Sequence, residues 1–306
     1  MNIRTIRLAI AFILLLLMAA CVTAPEPLPT PTAPAATATS VPTATLAPTI
    51  EPSPTLTPEP TVPPVTGTNW LRPADGMLMM NVPAGEFKMG SNDRPDQKPI
   101  HTVYLDEYWV DQTEVTNSMY ARCVAAGVCK PPIRSGSILQ DRYYGDPQYD
   151  NHPVVYVSQS NAATYCAWTG SRLPSEAEWE KAARGTDGRK YPWGNTLPTC
   201  KIVAFLGCVN DAVAVGSYPA GASPYGALDM SGNVWEFVSD WYGEAYYSQS
   251  PASNPTGPTS GDGGYVVLRG GASLTSEEYL RTYYRLDDGP DNMYPHFGFR
   301  CVRSLP

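Results

Sequence analysis

The chain has 306 residues and carries 21 Lys and Arg against 29 Asp and Glu, for a net charge of −8. No cluster of Lys or Arg stands out, which argues against nucleic acid and anionic lipid as partners. At the N-terminus, Arg4 and Arg7 precede an unbroken apolar run from Leu8 to Ala20. A basic start, a short apolar stretch and small residues before a cut describe an export signal over residues 1–20. The run is too short to span a bilayer as a mature helix.

Cys21 directly follows Ala19-Ala20, and this junction resembles the bacterial lipoprotein signal, although Met18 stands where that signal prefers Leu. The resemblance implies that the Cys21 thiol is acylated and that the chain is lipid-anchored to a membrane on its extracytoplasmic side, at the cell surface or in the periplasm. Residues 21–66 then read as a tether. Thirteen prolines with many Thr and Ala, and no aromatic, Lys or Arg, fill residues 22–66. Such a segment buries too little apolar surface to offset the entropy of ordering. Its prolines favour extended polyproline II at about 3.1 Å per residue, a reach on the order of 100 Å.

Residues 67–306 are rich in Trp, Tyr and Gly and are long enough to enclose a core as one domain. Loss of the signal would leave 19 basic and 29 acidic residues, a charge of about −10. Three short helices are expected. Thr116 to about Ala126 carries Met119, Tyr120, Cys123 and Val124 at three-to-four spacing. Ser158 to Thr169 has Ser158 as N-cap and Gly170 as its stop. Ser175 to Arg184 follows Pro174 and has a capping box in Ser175 and Glu178, with Trp179, Ala182 and Ala183 as its buried side. Short strands are expected at Val103–Tyr108, after His152 and at Tyr265–Leu268, joined by ordered loops. The fold class is α+β, irregular and loop-rich, with short antiparallel strands.

Six cysteines follow Cys21, at 123, 129, 166, 200, 208 and 301. An even count in an exported chain points to disulfides, although six cysteines allow fifteen connectivities. Cys123–Cys129 and Cys200–Cys208 are close enough to close local loops, which would leave Cys166–Cys301. A metal site is the rival reading, unsupported by any C-x-x-C or paired-His spacing.

Eight segments then come in order: Gly85-Glu-Phe-Lys-Met-Gly90, Thr113-Glu-Val-Thr-Asn117, His152-Pro-Val-Val155, Ser171 to Arg184, Tyr191-Pro-Trp-Gly-Asn195, Asp229-Met-Ser-Gly-Asn-Val-Trp-Glu236, Leu268-Arg-Gly-Gly271 and Gly298-Phe-Arg-Cys301. Together they resemble the formylglycine-generating enzyme (sulfatase-modifying factor) family across about residues 75–305. The resemblance implies a compact fold related to C-type lectins. In the family's enzymes, copper held by two cysteines uses oxygen to convert a sulfatase Cys to formylglycine. Those cysteines lie four and nine residues beyond the second Gly of the Arg-Gly-Gly segment, where this chain has Thr275 and Leu280, and Ala272 replaces a Ser that assists the chemistry. Copper(I) needs soft thiolate ligands, which Thr and Leu cannot replace. A related branch makes sulfoxides with iron on three histidines; here His101, His152 and His296 read as structural. No copper or iron is therefore expected.

The resemblance also implies a structural Ca²⁺ held by the side chains of Asp229 and Glu236 and the carbonyls of Gly232 and Val234, oxygen donors that suit this ion. Asp211 reads as a remnant of a second calcium site whose surroundings, Lys201 to Phe205, depart from the pattern. Tyr279, Arg281, Tyr283, Tyr284, Arg285 and Tyr294 border the substituted copper positions. Aromatic rings interleaved with Arg suit a peptide, protein or glycan ligand. The expectation is an anchored ligand-binding or assembly module. The alternative is a family oxidoreductase acting on a protein side chain through an unrecognised or partner-supplied metal site.

Overall fold

The computed structural model describes residues 68–305; the signal segment, Cys21 and the tether lie outside the described residues. No helix among the described residues is long and apolar enough to cross a membrane. The architecture is α+β. Five strands come first: β1 (Trp70–Leu71), β2 (Leu78–Val82), β3 (Gly85–Met89), β4 (His101–Leu105) and β5 (Tyr108–Asp111). The helices α1 (Asn117–Ala125), α2 (Gln159–Trp168) and α3 (Glu176–Arg184) follow. Then come β6 (Trp235–Trp241), β7 (Val266–Arg269), β8 (Leu286–Asp288), β9 (Phe297–Gly298) and β10 (Val302–Ser304).

The strands form two four-stranded sheets, ordered β1-β2-β5-β10 and β8-β7-β6-β9, and the hairpin β3-β4. The expected stretch Val103–Tyr108 divides at Asp106-Glu107 and feeds two different sheets, β4 to the hairpin and β5 to the first. The segment after His152 is not a strand; Pro153 makes one isolated bridge, to Thr116. The named strands pair antiparallel, as expected, except β6–β9, which is parallel. A short return through the Tyr294–His296 turn lets the C-terminal segment enter beside β6 in the same direction, with Trp235 N donating to His296 O at 2.8 Å.

Each helix starts where a side chain satisfies an orphan N–H. Thr116 Oγ1 accepts from Met119 N. Ser158 and Asn161 form one capping box, Ser175 and Glu178 another. Gly170 ends α2 at φ 73°, a conformation that a Cβ would strain.

All nine residues of α3 are buried, not only Trp179, Ala182 and Ala183. Periodicity alone does not anticipate this, because Glu176, Glu180, Lys181 and Arg184 would ordinarily mark a solvated face. Each of the four has a partner. Glu176 is held by Arg269 Nη1 at 2.9 Å and by Arg285 Nε at 2.7 Å. Glu180 accepts from Arg269 Nη2 at 2.7 Å, Arg184 Nη1 at 2.9 Å and Gly90 N at 2.8 Å. The Lys181 ammonium donates to the carbonyls of Pro83 and Gly85, and burial pulls its pKa down to about 8. Burial alone would raise the Glu176 pKa, but Arg285 and Arg269 override it and hold the carboxylate below its usual range. An ion-paired helix thus sits between the hairpin and the β6–β7 sheet.

The six cysteines form Cys123–Cys129, Cys166–Cys301 and Cys200–Cys208. The second ties α2 to the segment just before β10.

Candidate functional site

At the end of β7 the backbone turns through Gly270 (φ 99°) and Gly271 (φ 76°). A Cβ on Gly271 would meet Leu280 Cδ2 at 2.9 Å and Thr275 Oγ1 at 3.2 Å, so the two substituted copper positions converge on one point. What they bring there is not a ligand pair. Thr275 Oγ1 accepts from Ala272 N and donates to Ala272 O, both at 2.9 Å, closing its own turn. Leu280 ends a short 3-10 turn from Glu277 and is wholly buried against Tyr191 and Val203, with Trp193 and Phe205 packed around them. The Tyr191 and Trp193 rings stack at 5.1 Å. Ser231 Oγ fastens the turn by donating to Leu280 O at 2.6 Å. Copper does not fit: hydrocarbon fills the space, and all six cysteines of the described residues are in disulfides.

The expected ligand residues divide. Tyr279 is half-buried, with its ring 4.7 Å from Tyr284 and 6.2 Å from Trp235. Arg281 donates to Asp93 at 2.8 Å, as does the Tyr283 hydroxyl at 3.0 Å. Arg94 donates to the Tyr284 hydroxyl at 2.9 Å and lies 4.9 Å over its ring. Burial pushes the Tyr283 and Tyr284 hydroxyls up to about 12. Asp93 and Arg94 were not anticipated from sequence; their only signal was a polar turn, Ser91-Asn-Asp-Arg-Pro95, after the Met-Gly pair.

Two of the six residues do not belong to this surface. Arg285 is a core residue, bonded to Glu176 and to the carbonyls of Asp96 and Gly243, beneath the rings of Tyr242 and Tyr247. Tyr294 is exposed elsewhere, stacked on His296 at 5.6 Å and edge-on to Phe297 at 5.1 Å. A groove of about 800 Å³, lined by Leu105, Gln159, Ala163, Arg172 and Asn254 among others, shares no residue with the 270–285 segment. Its Arg172 is clamped by both oxygens of Glu178 at 2.6 Å, so volume alone does not make it the better candidate.

The histidines have separate surroundings. His101 Nδ1 lies 3.0 Å from Pro99 O. His152 sits among Tyr143 and Tyr149, and His296 beneath Tyr294; burial lowers both pKa values. Among the described residues no three His, Cys, Asp or Glu side chains are arranged to hold a metal ion.

The loop read as a calcium site has a different arrangement from the one expected. Gly232 (φ 81°) approaches so closely that a Cβ would lie 2.2 Å from Ala204 O. Glu236, however, is engaged on both oxygens. Oε1 accepts from Arg300 Nη2 at 2.7 Å; Oε2 accepts from Arg300 Nε at 2.7 Å and Trp179 Nε1 at 2.8 Å. A carboxylate forked by a buried guanidinium is not a free cation ligand, so the four-ligand set implied by the resemblance does not fit as drawn. Asp229 Oδ2 accepts from Gly216 N at 2.6 Å. Asp211 caps the 137–140 turn, accepting from Leu139 N at 3.1 Å, and is no part of a cation cage.

Comparison with known proteins agrees with this frame. The model of the sulfatase-modifying factor enzyme 1-like domain matches residues 68–305. The chain belongs to that family. A formylglycine-generating enzyme of Streptomyces coelicolor is 33% identical, over 76% of this chain and 91% of the enzyme. The solved structure of PvdO from Pseudomonas aeruginosa superposes with a TM-score of 0.67 at 28% identity, covering 79% of this chain and all of that one. Treponema denticola variable protein 1 shares the fold, with a TM-score of 0.64 at 23% identity over 78% of this chain and 99% of its own.

Proposed function

We propose that this family member is a membrane-anchored, extracytoplasmic ligand-binding or assembly module that keeps the family frame without the copper oxidase centre. The observation that carries the reading is Leu280: the position where the enzymes place a copper cysteine is a fully buried hydrocarbon contact. The half-exposed edge beside it offers Arg94, Tyr279, Arg281 and Asp93, whose planar cations and ring faces suit a peptide or glycan. The basic-then-apolar start and Cys21 support the anchor.

The test is oxygen uptake by the purified chain with a Cys-containing peptide, together with metal and free-thiol analysis. The expected result is no uptake and no free thiol. Copper or iron near one per chain with peptide-dependent uptake would overturn the reading in favour of an oxidase. Binding on peptide and glycan arrays should fall at least tenfold for Arg281→Ala. The change Cys21→Ser should move the protein from the membrane to the soluble fraction.

A further inference from the structure

Of the three disulfides among the described residues, only Cys200–Cys208 meets solvent. Cys123, Cys166 and Cys301 have no exposed surface and Cys129 is 7% exposed, whereas Cys200 is exposed and Cys208 half-buried. The segment this bridge closes is anchored at its middle. Val203 and Ala204 are buried, Asn233 N donates to Ala204 O at 3.1 Å, and a Cβ on Gly232 would meet both residues. The second half, Phe205 to Cys208, is placed differently. It lies over the two substituted copper positions: Phe205 packs around Leu280, and Leu206 N donates to Thr275 O at 3.1 Å. Leu206 itself is 52% exposed. This half is therefore held down by one hydrogen bond, by the Phe205 ring and by the bridge at Cys208.

We propose that Cys200–Cys208 is a thiol–disulfide exchange site for a dithiol reductant, and that its reduction lifts the 205–208 half from Thr275 and Leu280. Exchange requires a sulfur that an incoming thiolate can reach, and exposed bridges are the ones that exchange readily. Lys201, the one charged residue between the two cysteines, attracts that thiolate. The thiolate attacks Cys200 Sγ, the Cys200–Cys208 bond breaks, and Cys208 leaves as a thiolate. The second thiol of the reductant then closes on the first, breaking the mixed disulfide and releasing Cys200. Two electrons and two protons pass from the dithiol, which leaves as a disulfide, to the two cysteines. Val203 and Ala204 stay packed on Gly232, while the freed half uncovers the apolar contact of Leu280 with Tyr191. The exchange does not rest on the ligand reading of the neighbouring edge.

The experiment is stepwise reduction of the full chain with dithiothreitol, followed by alkylation and peptide mapping. Cys200 and Cys208 should be alkylated at a dithiothreitol concentration at least about tenfold below that needed for the other four bridged cysteines, because access governs exchange. Hydrogen–deuterium exchange then reads the cover. At that concentration the Leu206 amide should exchange at least about tenfold faster, while the Asn233 amide bonded to Ala204 O stays protected. Cys200→Ser with Cys208→Ser should give the same pattern without reductant and no further change with it. If that variant does not fold by circular dichroism, the selectively reduced unmodified chain decides. Reduction of Cys123–Cys129 or Cys166–Cys301 first, or a Leu206 amide as protected after the bridge opens as before, would overturn the proposal.

Discussion

Leu280→Ala tests whether the substituted copper position is packed interior or open site. The side chain has no exposed surface and touches Tyr191 and Val203, with Trp193 and Phe205 behind them. Truncation removes three buried carbons. A Leu→Ala change in a core costs about 2–5 kcal/mol, more where the walls cannot collapse into the cavity. Here the walls are a stacked Tyr191–Trp193 pair and a loop closed by Cys200–Cys208, both rigid. The upper half of that range, about 3.5–5 kcal/mol, is therefore expected. For a domain of this size each kcal/mol moves Tm by roughly 2–4 °C, so a drop of roughly 7–20 °C should appear in a thermal melt under non-reducing conditions. Leu280→Met keeps the volume and should cost less than about 1.5 kcal/mol. A loss below about 1 kcal/mol for the Ala variant would refute the argument, because it would mean that the position borders water and that the site is open.

Three further outcomes follow from the same geometry. The double change Thr275→Cys with Leu280→Cys should create a Cu(I) site, because both side chains already reach the same point beside Gly271; competition with a chromophoric Cu(I) chelator would show near one copper per chain, and no gain in copper binding would disprove the convergence. Arg269→Met should cost about 3–5 kcal/mol in urea unfolding, since it takes from each of the buried carboxylates Glu176 and Glu180 one of its two guanidinium partners. Burial, and then Glu176, raise the Asp240 pKa from 3.8 to about 7 in the folded chain. The folded state therefore holds a proton that the unfolded state has released, and stability should fall as pH rises from about 4 to 7; Asp240→Asn should flatten that slope in pH-dependent melts.

The parts of the fold that were legible in sequence are those set by local chemistry. The Ser158 N-cap, the Ser175–Glu178 capping box, Gly170 and the close cysteine pairs act over fewer than a dozen residues, and they lie where the pattern put them. What was not legible is the pairing of charges across the chain. Glu176 meets Arg285 across 109 residues, and Glu236 meets Arg300 across 64. Nothing in the spacing of Arg281 and Arg285 tells that one edges the surface while the other is core. The same blindness applied to Glu236, whose motif suggested a cation ligand while its partner lay at the far end of the sequence.

Those long-range ion pairs also make the frame independent of residues 275 and 280. The Arg269-Gly-Gly271 turn is aimed from below by Arg269, which holds Glu176 and Glu180 on α3 and donates to Thr282 O at 2.6 Å. Trp179 lies under that guanidinium, 5.3 Å from it, and also under Gly270. None of these contacts involves residue 275 or 280. A copper pair on such a turn is held by the frame and does not hold it, so replacing both cysteines leaves α3, β7 and the two glycines in place. A leucine at position 280 is therefore accommodated without dismantling the platform, and the edge carrying Arg94, Tyr279 and Arg281 is set on a turn that ion pairs hold from below.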